Sequence, residues 1–451
     1  MLKPIILKNG VTVLRIPRSG SNLFTMGVAF RTGSSVEESH FPNGISSLVE
    51  KIFWKGTYKH PSAKHLNTGV DSMGGDFVSS TDRENTKFLL TVPTYNQFKA
   101  VSFMAEIIQR SFFETKDIEQ EKKIQIDKLK NDSQYIENEI QEVTFSDVYG
   151  ESGLGTPVDG FVETVNQIEH STVLEYLSHQ YTPSNCVLIL SGSFDSKKVL
   201  DLLDQEWGVW NPKLKSLVGS VQPNMSEAQE MPKIIYRQRG VAQTFVSVNF
   251  LLDEGLKMLE TDEKNDDEEV ETVKQESRLF QYATLLLINA ILAQGLSSRL
   301  WVKTVEEESL FNKVESSVNF FNSTGFLQIL GDADNVQFSF GLESILSVLD
   351  SLRKTTVSIN ELAKTKEFLK GRILSAGDSA FGRAVWQMDH YLKSDMVFSL
   401  EDILSQIDKV EAMNLRTMAL DLFVPERLCL TILGTAKETK LVDKLVKKYL
   451  S

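Results

Sequence analysis

The side chains best placed to do chemistry lie in two short stretches. Residues 43–51 read Asn-Gly-Ile-Ser-Ser-Leu-Val-Glu-Lys and are followed by Phe53-Trp54-Lys55-Gly56-Thr57. As a helix, this stretch puts Ser47, Glu50 and Lys51 on adjacent turns of one face. Imidazoles at the two outer positions, with the carboxylate between them, would bind zinc and activate a metal-bound water. Only the carboxylate, Glu50, is present. Serine brings a hydroxyl, and lysine an ammonium with no acceptor that repels a dication. The second stretch, Ile118 to Lys128, carries Glu121, Asp127 and Lys128. The expectation is that Glu50 and Glu121 form ion pairs with Lys51 and Lys128, leaving no metal site.

Other reactive residues form no recognisable set. The six histidines are His40, His60, His65, His170, His179 and His390. His60 and His65 are five apart, the wrong spacing for one helical face. Cys186 and Cys429 each sit in an apolar run and read as reduced core thiols. There is no phosphate-binding glycine loop. The formal charge of -13 is concentrated in Asp253 to Glu276, which holds eleven acidic and three basic residues. That balance, with no basic stripe of interleaved aromatics, argues against a nucleic-acid partner. The most apolar stretch, Leu285 to Ala293, is far shorter than the roughly 20 residues that span a bilayer. No membrane span is expected, and the opening residues, which lack a targeting pattern, point to the cytoplasm.

The elements that must position these residues show a repeat. Pro183 to Gly192 and Pro425 to Gly434 share one register, and upstream Glu169 pairs with Glu411 and Tyr181 with Phe423 at the same offset. Each copy reads as an amphipathic helix, a proline-marked stop and a β-rich run ending at glycine. With 451 residues, two domains are expected. They are placed at 1–213 and 233–451, joined by a linker at 214–232, with an acidic insert at 253–277 read as a loop. Strands are expected at Val11 to Leu14, Phe24 to Phe30 and Thr244 to Leu252, and helices at Phe280 to Leu292 and from Ser358 to about Leu374. The mixture gives an α+β class.

Taken together the motifs resemble the pitrilysin/insulinase (M16) metallopeptidases, and in particular the two-domain branch of processing peptidases and bc1 core proteins. The first stretch is similar to N-G-x-x-H-x-x-E-H-x-x-F-x-G-T. Four others occur in the family's order: Phe30 to Ser34, Met73 to Thr86, Gly153 to Gly160 and Gly295 to Leu300. The resemblance implies two homologous α/β sandwich domains forming half of a clam-shell. It places the family's two zinc histidines at Ser47 and Lys51, its glutamate base at Glu50, a supporting carboxylate at Glu121 and its third zinc ligand at Lys128. In the second half, the family's substrate-binding arginine and tyrosine fall on Val305 and Asn312. The expectation is therefore that the chain is not itself an enzyme and holds no cofactor. It would pair with a homologous subunit that bears an intact H-x-x-E-H and zinc, and help enclose unfolded peptides. The alternatives are a structural subunit like the bc1 core proteins, or an active peptidase with an unconventional site.

Overall fold

In the computed structural model, residues 3–451 are described except 38–39, 133–135, 152, 211–231, 242, 253–267 and 436–438. Two compact units result. The first comprises Met1–Asn224 with Ala376–Phe398, and the second Met225–Ser375 with Ser399–Ser451. The expected linker lies almost wholly outside the described residues, as does 253–267 of the acidic insert.

The first unit is built on a six-stranded sheet. Its strands are β1 (Ile5–Ile6), β2 (Thr12–Pro17), β3 (Leu23–Phe30), β4 (Asp76–Thr81), β5 (Thr86–Pro93) and β6 (Cys186–Gly192), in spatial order β1-β2-β6-β3-β5-β4. Only the β2–β6 pair is parallel. β4 lies at the sheet edge and, among the described residues, is bonded to β5 alone.

Side-chain size sorts the two faces of β3. Phe24, Met26, Val28 and Phe30 enter a core with helix α1 (Ile45–Ile52) through its Ile45, Leu48, Val49 and Ile52. That i, i+3, i+4, i+7 spacing is the apolar stripe of an amphipathic helix. On the opposite face, Ala29 packs with Leu14, Leu89, Val187 and Ile189 against Ala384, Met388, Tyr391 and Leu392. Gly27 is required there, because a Cβ would come within 2.6 Å of both Ile189 and Met388. With both faces covered, β3 is buried from Phe24 to Phe30, which is why it reads as a nearly continuous apolar run, interrupted by the buried Thr25.

The helix on that second face spans Ala380–Ser394, far along the sequence from the sheet it covers. Lys87 bridges Asp82 at 3.0 Å and Asp389 at 2.6 Å, and Arg31 pairs with Asp395. A domain boundary drawn from the repeat alone places this helix in the second half. The repeat records similarity between copies and carries no information on which sheet a helix packs against.

The second unit has strands β7 (Lys233–Gln238), β8 (Gln243–Leu252), β9 (Lys313–Phe320), β10 (Gly325–Asp334) and β11 (Leu428–Gly434), in spatial order β7-β11-β8-β10-β9. This repeats the order β2-β6-β3-β5-β4, again with one parallel pair, β7–β11. The helices His170–Gln180 and Ala412–Leu422, the short turns Pro183–Asn185 and Pro425–Arg427, and strands β6 and β11 correspond residue for residue. The helix expected at Phe280 to Leu292 is longer, running Glu268–Ala293, so part of the acidic stretch read as a loop is helical. Leu285, Leu287, Ile288 and Leu292 are buried in its C-terminal half. Once a helix is anchored, good helix formers such as glutamate extend it at little cost.

Candidate functional site

Helix α1 begins at an unusual N-terminus. Gly44 sits at φ 96°, and no side chain at the cap position accepts a bond. Instead the buried Glu37 takes the Gly44 and Ser46 amides at 2.8 Å each and the Asn43 amide nitrogen at 2.7 Å. A carboxylate at a helix N-terminus satisfies unpaired N–H groups and meets the positive end of the helix dipole. Burial nevertheless pushes the Glu37 carboxyl up to about 7, outweighing those donors.

Helix α2 (Thr115–Asp132) packs against α1. Gln125 donates to the carbonyls of Gly44 at 3.0 Å and Asp159 at 2.8 Å. Backbones approach closely here: a Cβ at Gly44 would lie 2.7 Å from the Asp159 carbonyl, and one at Gly160 would lie 2.3 Å from that of Asn43. The Asn-Gly and Asp-Gly pairs of the two segments thus fit against each other.

The chemistry-bearing residues form two neighbouring clusters. In the first, Glu50 Oε1 accepts from Lys51 Nζ at 2.8 Å and Ser79 Oγ at 2.6 Å, while Oε2 accepts from Thr81 Oγ1 at 2.9 Å. Ser79 and Thr81 lie on the same face of β4, two residues apart. In the second, Asp159 Oδ1 accepts from Ser47 Oγ at 2.6 Å and Oδ2 from Lys128 Nζ at 2.6 Å. Burial alone would raise the Asp159 carboxyl, but the Lys128 and Ser47 donors, with the charges of Lys128 and Lys51, hold it below its ordinary value.

The expected pairing is therefore half right. Glu50 meets Lys51, whereas Glu121 pairs with Lys55 and Lys128 with Asp159. Glu121 and Lys128 are two turns apart on α2, about 10 Å along its axis, beyond reach of one another's neighbourhood on α1. Asp159, Lys55, Ser79 and Thr81 were missed by reasoning from sequence. The i, i+2 hydroxyls at 79 and 81 were a usable signal; the approach of Asp159 is purely tertiary. In the second unit, Val305 is half-buried within a π-helical stretch, Trp301–Glu307, and the exposed Asn312 donates to Asp332 at 2.8 Å.

These donors do not fit zinc. Glu50 and Glu121 already face the ammonium groups of Lys51 and Lys55, and among the described residues no group of three or more His, Cys, Asp or Glu is placed to hold a metal ion.

Comparison with known proteins gives the class. The profile of the insulinase family (peptidase family M16) matches residues 14–160, and that of the peptidase M16 inactive domain matches 167–369. The chain belongs to the M16 peptidase family. It is 23% identical to the uncharacterized zinc protease YmxG of Bacillus subtilis, over 94% of this chain and 97% of that one. It is 28% identical to the mitochondrial-processing peptidase subunit beta of Dictyostelium discoideum, over 45% of this chain and 42% of that one. A protease from Helicobacter pylori shares the fold, with TM-score 0.81 and 18% identity over 96% of this chain and 99% of that chain.

These relatives correct one expectation. Reading the chain as no enzyme does not stand, because proteins matched along nearly their whole length are named zinc proteases, among them one from Rickettsia felis at 24% identity over 90% of this chain and 91% of that one. Among the described residues no helix is long and apolar enough to cross a membrane.

Proposed function

We propose that the chain is a subunit of an M16-type peptidase, joining a second M16 chain with an intact H-x-x-E-H helix so that the assembly hydrolyses extended peptides with zinc held by that partner. The observation that carries this reading is the placement of β4, an edge strand next to the Glu50–Lys51 cluster. Among the described residues its outer edge pairs with no other strand, and an open edge recruits an extended peptide through main-chain hydrogen bonds. Relatives named as subunits of the mitochondrial processing peptidase and of the cytochrome b-c1 complex support an assembly of more than one chain.

The test is co-purification of the tagged full chain from its native host, followed by peptide hydrolysis assays. The expected result is an M16 homologue in the eluate and chelator-sensitive cleavage that needs both chains. A complex that forms but ignores peptides would favour a structural role like that of the b-c1 subunits. Chelator-sensitive cleavage by this chain alone would refute the division of labour.

A further inference from the structure

The two clusters at α1 are layered by charge. In each pair the carboxylate is the more buried partner: Glu50 is 2% exposed against 50% for Lys51, and Asp159 27% against 55% for Lys128. Negative charge is therefore buried and positive charge is presented outward. Lys51 commits one N–H to Glu50 Oε1, and an ammonium has three donors.

Lys51 also sits beside the peptide-binding edge. Its ammonium and the Ser79 hydroxyl meet at the same Glu50 oxygen, and Ser79 is in the middle of β4. The acidic residue of β4 itself, Asp76, is exposed on the strand's other face, with Val78 and Ser80.

We infer that Lys51 selects an acidic side chain of a peptide paired to β4, on the face shared with Ser79. This rests on the proposal that β4 takes an extended peptide. A side chain fits better than a terminal carboxylate because a strand paired along all of β4 passes Lys51 in mid-length. Side chains alternate between faces, so the acid must occupy one parity of the peptide: moving it by one residue turns it away.

Fluorescence anisotropy on the full-length chain tests this at low salt, using an unstructured twelve-residue peptide of Ser, Thr and Val with one central Glu, and its Gln counterpart. The Glu peptide is expected to bind about twofold to fivefold tighter, the range of one exposed ion pair. The preference should persist in Lys51→Arg, vanish in Lys51→Gln with both variants checked for folding by thermal melts, and be indifferent to C-terminal amidation. Equal binding of the two peptides, a preference that survives Lys51→Gln, or one abolished by amidation would overturn the inference while leaving peptide binding at β4 in place. Failure of both peptides to bind would overturn the inference and the edge-strand reading together.

Discussion

Ser47 and Asp159, 112 residues apart in sequence, share a hydrogen bond of 2.6 Å. That contact joins α1 to the loop before Gly160, and the other Asp159 oxygen ties the loop to Lys128 on α2. One carboxylate thus fastens three segments. Asp159→Ala leaves a hydroxyl and an ammonium without their acceptor, and we expect a loss of about 1–2 kcal/mol in urea unfolding, the scale of a charged hydrogen bond at a partly exposed site. A loss within 0.3 kcal/mol of zero would remove Asp159 from this role.

Glu50 should act as a bolt between α1 and the sheet edge. In Glu50→Ala the Ser79 and Thr81 hydroxyls lose their acceptor, so amide exchange in residues 76–81 should accelerate more than exchange in central β3. Uniform acceleration across the sheet would mean that Glu50 contributes only to global stability. The magnitude expected is about 1–3 kcal/mol, the cost of unsatisfied buried polar groups.

Glu37 makes stability depend on pH. Its carboxyl lies near 7 in the fold against an ordinary 4.5, so the folded protein binds this proton more tightly than the unfolded chain. The contribution is fully present below about pH 4.5, declines as pH rises, and is gone above about 7. The shift corresponds to roughly 3 kcal/mol across that window. Urea unfolding at a series of pH values should show this slope in the parent chain and lack it in Glu37→Gln. Parallel profiles for the two proteins would refute it.

Rebuilding a donor set tests the account of the ion-pair clusters. Ser47→His with Lys51→His and Lys128→Glu supplies two imidazoles and a carboxylate beside Glu50, a set suited to zinc. Zinc at a hundredfold over its Kd should then stabilise the variant by about 2.7 kcal/mol, reversibly with chelator, and leave the parent's Tm unchanged. Equal stabilisation of the parent would show that its own residues bind the metal.

Much of this was legible in the chain itself. The repeat carried through to strand order and to the ends of individual helices, because both copies solve the same packing problem with the same spacing of apolar residues. Glu50 and Lys51 were readable as a pair because one helix carries both. Asp159 was not, since only the close backbone fit at Gly44 and Gly160 brings it to Ser47. The acidic run before Phe280 misled in part: its charge suggested a loop, while anchoring by Leu285 and Leu292 extends the helix back to Glu268.

The helix Ala380–Ser394 has a consequence for biosynthesis. As the chain leaves the ribosome, β1 to β6 are all available by Gly192, yet the apolar face formed by Leu14, Ala29, Leu89, Val187 and Ile189 waits for almost two hundred further residues before its cover arrives. Nascent chains of intermediate length carry that face bare, which makes them natural clients for chaperones that hold apolar sheet surfaces.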